Sequence, residues 1–221
     1  MTRKKSLFAV VFEVKPNPAQ SSAYLEIANE LRAELLKIDG FLANERYRSA
    51  RNNGFVLSLS LWDSEKALVR WRSQKMHRED QAKGRAGVLS DYHLRVGEVT
   101  QAAGKFADRE VGWMRHDETE VGVAKALVII EGEIAPDSPA AAIPRGIKAG
   151  QAGAISAEVF EHLTQSNRLA ILSAWQTQAD AAQFAKSISP LIKAANLNSY
   201  VIRVIRDYGL KDRREAPQHH D

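Results

Sequence analysis

Two stretches of this chain share one pattern. "LSLSLWDSEKALVRW" occupies residues 57–71 and "AILSAWQTQADAAQF" residues 170–184. Each is an apolar run, a serine, a tryptophan, a polar break and an alanine-containing segment ending in an aromatic. At one constant offset Glu45, Leu59, Ser60 and Trp62 return as Glu158, Leu172, Ser173 and Trp175. Tyr47 becomes Phe160 and Trp71 becomes Phe184. The first strand repeats at residues 126–134, and "YHLRV" (92–96) returns as "YVIRV" (200–204). A pattern repeated in the same element order marks one supersecondary unit made twice.

The unit can be read from its periods. Phe8, Val10, Phe12 and Val14 alternate with Ala9, Val11 and Glu13, which predicts a strand with two distinct faces. "KPNPA" breaks it. Tyr24, Ile27, Ala28, Leu31, Leu35 and Ile38 then share one face of a helix that ends at Gly40. Residues 44–51 predict a polar strand, "RNNG" a hairpin turn, and residues 55–62 its partner. Asp63 is placed to cap a second helix carrying Ala67, Leu68 and Trp71 inward, and residues 92–99 predict a closing strand. The order β-α-β-β-α-β is the ferredoxin-like split βαβ arrangement. Such a sheet has helices on one face only, so its other apolar face needs a second sheet. The expected fold is therefore α+β, with two ferredoxin-like units closing on each other as an internal pseudo-dimer of the dimeric α+β barrel type. Residues 1–100 form the first unit, 101–124 a linker, 125–208 a degenerate second unit and 209–221 a polar tail. The degeneracy lies in the second unit's first helix region, which Pro139, Pro144 and several glycines interrupt.

Composition narrows the chemistry. The absence of cysteine removes disulfides, thiolate metal sites and a cysteine nucleophile, and fits a cytoplasmic protein. A formal charge of +4 with no long basic block argues against a nucleic-acid partner. The short apolar run after "MTRKK" is broken by Glu13 and reads neither as a leader nor as a membrane segment. His219 and His220 lack metal-ligand spacing, and no HExxH, P-loop, GxGxxG or GxSxG sequence is present.

"GFLANERYRS", "LSLSLWDSEKALVRWRS", "HREDQAKGR" and "YHLRVGEV" together resemble the antibiotic biosynthesis monooxygenase family over most of residues 7–100, and "RDYGLKDRREAP" (206–217) resembles a tail found in that family. The resemblance implies a dimeric α+β barrel with pockets between sheet and helices. It implies a cofactor-independent monooxygenase acting on a small aromatic or quinone-like molecule. A deprotonated substrate would itself reduce dioxygen, so the protein needs a dry pocket and control of one proton. Alternatives are a non-catalytic small-ligand or haem binder, a haem-degrading monooxygenase with a divergent site, or a structural pseudo-dimer. Trp71 matches the helix tryptophan of the haem-degrading branch. Glu13 stands where that branch has an asparagine, and Gln81 near where it has a histidine. No cofactor is required, although haem stays open, as does a further homodimer.

The candidate site follows. Trp71 would stack the substrate, His77 or Glu13 would handle the proton, and Arg72 or Arg85, with Gln81, would steady negative charge through the planar fork that suits carboxylates. Packing competes with chemistry at each position. A continuous helix puts His77 about 120° from Trp71, toward the flank. Exchange of Trp71 for Phe184 suits a core residue. Glu13 suits a pair with a neighbouring arginine, its counterpart being read as Glu133. The basic run over residues 70–85 suits a solvated helix face.

Overall fold

A computed structural model describes residues 6–51, 54–74, 82, 84–109, 117–133, 152–188, 192 and 195–217. The first unit comprises β1 (Phe8–Pro16), α1 (Ser21–Leu35), β2 (Phe41–Ser49), β3 (Val56–Trp62), α2 (Glu65–Arg72) and β4 (Leu89–Ala103). The second comprises β5 (Ala126–Glu133), β6 (Ala154–His162), β7 (Arg168–Trp175), α3 (Gln178–Ile188) and β8 (Ala195–Gly209). The proline-rich region 134–151, expected to hold a degenerate helix, lies outside the described residues. All eight strands form one closed antiparallel barrel in the order β1-β3-β2-β6-β7-β5-β8-β4. The fold is α+β, a pseudo-dimer of two ferredoxin-like units joined along β2–β6 and β4–β8. Closure removes the sheet edges that an isolated unit would expose.

Alternation along each strand sorts the two faces. Ala9, Val11, Leu57, Leu59 and Leu61 meet Leu127, Ile129, Leu172 and Ile202 in the barrel interior. Phe8, Trp62 and Val96 face outward under α2. In the second unit, Trp175 packs with Phe184 and Ile188 of α3 in the matching outer layer. Pairing of β1 with β3 and of β5 with β7 sets Trp62 opposite Phe8 and Trp175 opposite Ala126.

That register corrects two sequence equivalences. Glu13 lies opposite Leu57, and Glu131 lies opposite Ala170, the repeat of Leu57. Glu131, not Glu133, is therefore the counterpart of Glu13. Likewise Val11 pairs with Arg95 while Ile129 pairs with Tyr200, so Tyr200 is the repeat counterpart of Arg95 and not of Tyr92. Both inward glutamates are neutralised. Arg95 pairs with Glu13. Glu131 accepts from Tyr47, Tyr200 and Asn198, and Arg168 lies 3.4 Å away. Burial and this carboxylate push the Tyr47 and Tyr200 phenols well above their ordinary value.

Some boundaries differ from expectation. Ser64, not Asp63, caps α2: its hydroxyl accepts from the Ala67 N–H at 3.3 Å while donating to Asp63 at 2.8 Å. Helix α1 ends at Leu35, before Gly40. Gly40 takes a φ of +90° in the turn into β2, where a Cβ would sit 2.3 Å from Asp63 Oδ1. Strand β4 runs three residues into the expected linker. The expected polar tail folds back onto the barrel: Leu210 and Ala216 pack with Val14, Tyr92 and Tyr208. Among the described residues no helix is long and apolar enough to cross a membrane.

Candidate active site between sheet and helices

The outward face of the first unit does not pack solidly against its helices. A cavity of about 260 Å³ remains there. Its floor is Val10 and Phe12 of β1, Ser58 and Ser60 of β3, and Leu94 and Val96 of β4. Ile27, Leu31 and Leu35 of α1 and Leu68 and Trp71 of α2 roof it. These walls follow from the alternation of the strands and from the helical spacing of the apolar residues. Phe12 and Tyr92 meet with ring centroids 5.7 Å apart and their planes tilted by 59°, giving one side an aromatic edge.

The charged lining is one-sided. Arg46, Arg72, Arg85 and Arg213 reach the cavity, and among the described residues no aspartate or glutamate lines it. Arg46 is partly satisfied, donating to the Ala28 carbonyl at 2.9 Å. Burial lowers its pKa, while the nearby Tyr24 phenol acts the other way. Arg72 differs: its Nε–H is buried with no hydrogen-bond partner among the described residues. Burial lowers its pKa too, opposed by Tyr208. A buried guanidinium N–H without an acceptor is costly, and the Arg72 side chain also lines the cavity.

Three phenols complete the polar part. Tyr208 is pushed up to about 12 by burial, against the influence of Arg72. Tyr24 is raised by burial, against Arg46. Tyr92 accepts from Arg213 through its hydroxyl. Protonated at neutral pH, Tyr24 and Tyr208 serve as hydrogen-bond donors rather than bases. Asn44 is already engaged, with Ser58 Oγ at 3.0 Å and the Leu59 carbonyl at 3.1 Å.

Of the residues singled out in the sequence, Trp71, Arg72 and Arg85 line the cavity. Glu13 does not. It projects to the opposite side of β1, into the barrel, where Arg95 holds it. His77 and Gln81 lie outside the described residues. Sequence reasoning missed Arg46, Tyr24, Tyr208 and Arg213. Arg46 was within reach, because alternation in β2 sets it on the face of Asn44. Tyr208 and Arg213 carried no local signal, since the first arrives from the other repeat and the second from the segment that follows it. Among the described residues no group of three His, Asp or Glu could hold a metal ion, and the cavity lining has no imidazole or thioether.

Residues 7–83 match the sequence profile of the antibiotic biosynthesis monooxygenase family. Over 219 residues the chain is 38% identical to a Pyricularia oryzae protein named jasmonate monooxygenase ABM, covering 96% of this chain and 97% of that one. The uncharacterised protein YqjZ of Bacillus subtilis is 30% identical over 98 residues, which is 44% of this chain and 83% of that protein. Two solved aldoxime dehydratases share the fold. One covers 96% of this chain and 89% of its own at a TM-score of 0.58 and 12% identity. The other, crystallised with butyraldoxime, covers 94% and 80% at a TM-score of 0.59 and 10% identity.

Proposed function

This chain belongs to the antibiotic biosynthesis monooxygenase family, and from that premise we propose that it is a monooxygenase of small, largely apolar carboxylic acids of the jasmonate type. The observation that carries this reading is the cavity itself. It has apolar walls, four arginines and no carboxylate among its described lining, and a buried Arg72 N–H without a partner. An apolar body would fill the space between sheet and helices, and its carboxylate would meet Arg72. A charge-assisted bond in a dry cleft is stronger than one in water. The name of the Pyricularia oryzae relative supports the acid class.

The residues bind, orient and exclude water. Trp71 and Leu68 hold the apolar body against Val10 and Phe12. Arg72 and Arg85 steady negative charge, and Tyr208 donates to an oxygen of the bound acid. His77 is proposed to handle the proton and Gln81 to help bind the substrate. Electron supply separates two forms of the reaction. Oxidation of an activated methylene to a carbonyl consumes one dioxygen, releases one water and needs no outside electrons. Hydroxylation of an unactivated C–H also consumes one dioxygen, but needs two electrons and two protons from a reductant to release the second oxygen as water. The tilted aromatic pair of Phe12 and Tyr92 on the cavity wall supports, as a second reading, the aromatic or quinone-like ring expected from the family resemblance.

The test is oxygen uptake with mass analysis of products, using jasmonic acid, its methyl ester and anthrone, each with and without an added two-electron reductant. We expect the acid to gain oxygen and to react in preference to its ester. Uptake with anthrone alone would select the quinone-like reading, and no uptake with any of them would overturn the activity. Arg72→Gln is expected to weaken acid binding by about tenfold or more, read by calorimetry, with less effect on the ester.

A further inference from the structure

The cavity of the first repeat is finished by the chain that follows the second. Arg213 and Pro217 line it beside Tyr208. We propose that residues 210–217 are a working wall of the cavity, with Arg213 as a specificity residue for the substrate's acid group and Glu215 as the positioning residue that holds this wall in place. The proposal rests on the acid-oxidising reading given above.

The wall is built, not draped. Gly209 and Leu210 donate backbone N–H groups to the Asp212 carbonyl at 2.8 Å and the Tyr92 carbonyl at 3.2 Å. Arg213 donates to the Tyr92 hydroxyl at the cavity edge. Glu215 is the pin. Its carboxylate accepts from the Thr119 hydroxyl at 2.7 Å and from the N–H groups of Glu120, Val121 and Asp207 at 2.7, 3.1 and 2.6 Å. One side chain thus ties the strap to the segment before β5 and to the end of β8. A carboxylate taking four donors is wasteful if the segment following it has no task. Here that segment brings Pro217 against the ligand space. Arg72, Tyr208 and Arg213 line the cavity from three parts of the chain, and both arginines lie near enough to Tyr208 to act on its phenol, which makes a place where an anion would be received. The arginine fork suits a carboxylate and leaves its ester poorly matched.

The experiment titrates jasmonic acid and its methyl ester into the wild type, Arg213→Gln, Glu215→Gln and Glu215→Asp, with melting curves for each. Tryptic cleavage after Lys211, Arg213 or Arg214 is followed in parallel. Arg213→Gln is expected to lose about tenfold of the preference for acid over ester. Glu215→Gln should lose preference in the same direction although it does not line the cavity, and should be cut faster in the strap. Glu215→Asp should recover part of both. Retention of the wild-type acid-to-ester ratio in folded Arg213→Gln and Glu215→Gln would overturn the proposal. Where the wild type itself does not distinguish acid from ester, the acid reading falls, and the cleavage arm decides the strap: unchanged cleavage of Glu215→Gln sinks it, faster cleavage upholds it.

Discussion

Ser60 and Trp62 explain why a serine and a tryptophan travel together in both repeats. Two residues apart on a strand, they face the same side, and the indole N–H of Trp62 reaches the Ser60 hydroxyl at 3.0 Å. Trp175 and Ser173 repeat the bond at 2.9 Å. Both indoles are fully buried, so the serine is what permits a polar N–H at the centre of each outer layer. Ser173→Ala is expected to lower stability by about 1–3 kcal/mol, the cost of an unpaired buried donor, measured by urea unfolding, and Ser60→Ala to behave alike. Titration adds two further expectations. Tyr24, Tyr47, Tyr200 and Tyr208 all have raised values in the folded state. Their neutral forms therefore support the fold fully below the ordinary value of 10.0, and that support is lost as pH climbs above it. Melting temperature should fall from about pH 10 upward, with phenolate absorbance appearing together with unfolding. Glu215 runs the other way. Burial would raise it, but Thr119 and the three N–H donors outweigh this and hold it below the ordinary 4.5. Its support is present above that value and disappears as pH falls through the lower folded value, so cleavage of the strap by the acid protease pepsin is expected to quicken in acid before the barrel melts.

The second helices of the two units show how one element diverges between packing and binding. In α3, Phe184 lies 4.8 Å from Trp175 and is buried. In α2, Trp71 occupies the same place, only partly buried, and borders the cavity. The same exchange should therefore act oppositely in the two repeats. Phe184→Trp overfills a packed layer and is expected to cost about 1–3 kcal/mol. Trp71→Phe is expected to leave the melting point nearly unchanged while enlarging the cavity and weakening ligand binding, read by calorimetry. What could be seen in the sequence follows the same division. Local periods were enough for β1, α1, β3 and α2, because each has one apolar face, and hence for the cavity wall at Trp71 and Arg72. The ion pair of Glu13 was foreseeable from its inward alternation, which also takes it away from the cleft. Tyr208 and Arg213 were not readable, because their place in the site comes from strand order and from a strap whose polar composition resembles any solvated tail. The cap at Ser64 was missed because Asp63, one residue earlier, carries an equally good acceptor.

Taken whole, the barrel has a pseudo-twofold axis, and the residues beside that axis say how duplication became a single chain. Where two copies of one unit meet symmetrically, the residue at the axis faces its own copy. In the β2–β6 seam that position is Arg48 facing Glu161, its repeat equivalent, with a 2.9 Å ion pair. In the β4–β8 seam it is Glu98 facing Arg203, also equivalents by register, 2.8 Å apart and almost wholly buried. An identical pair of units would place arginine on arginine at one seam and glutamate on glutamate at the other. The signs have diverged in opposite directions, so each unit fits its sister and repels its own kind. Gly97 lets the buried seam close, since a Cβ there would lie 2.3 Å from the Arg203 carbonyl. The two pairs differ in weight. Arg48–Glu161 is solvent-exposed and worth about 0.2–1 kcal/mol, whereas breaking the buried pair leaves a charge without its partner at about 3–5 kcal/mol. Arg203→Glu should therefore lower the unfolding free energy by at least that amount, because it adds like-charge repulsion to the lost pair. Glu98→Arg combined with Arg203→Glu restores opposite signs in reversed order and is expected to recover more than half of the loss. Denaturant unfolding of the two single variants and the double variant closes the cycle. Strictly additive losses would mean that the seam is held by its backbone ladder alone and that the charges at the axis play no part in choosing which units pair.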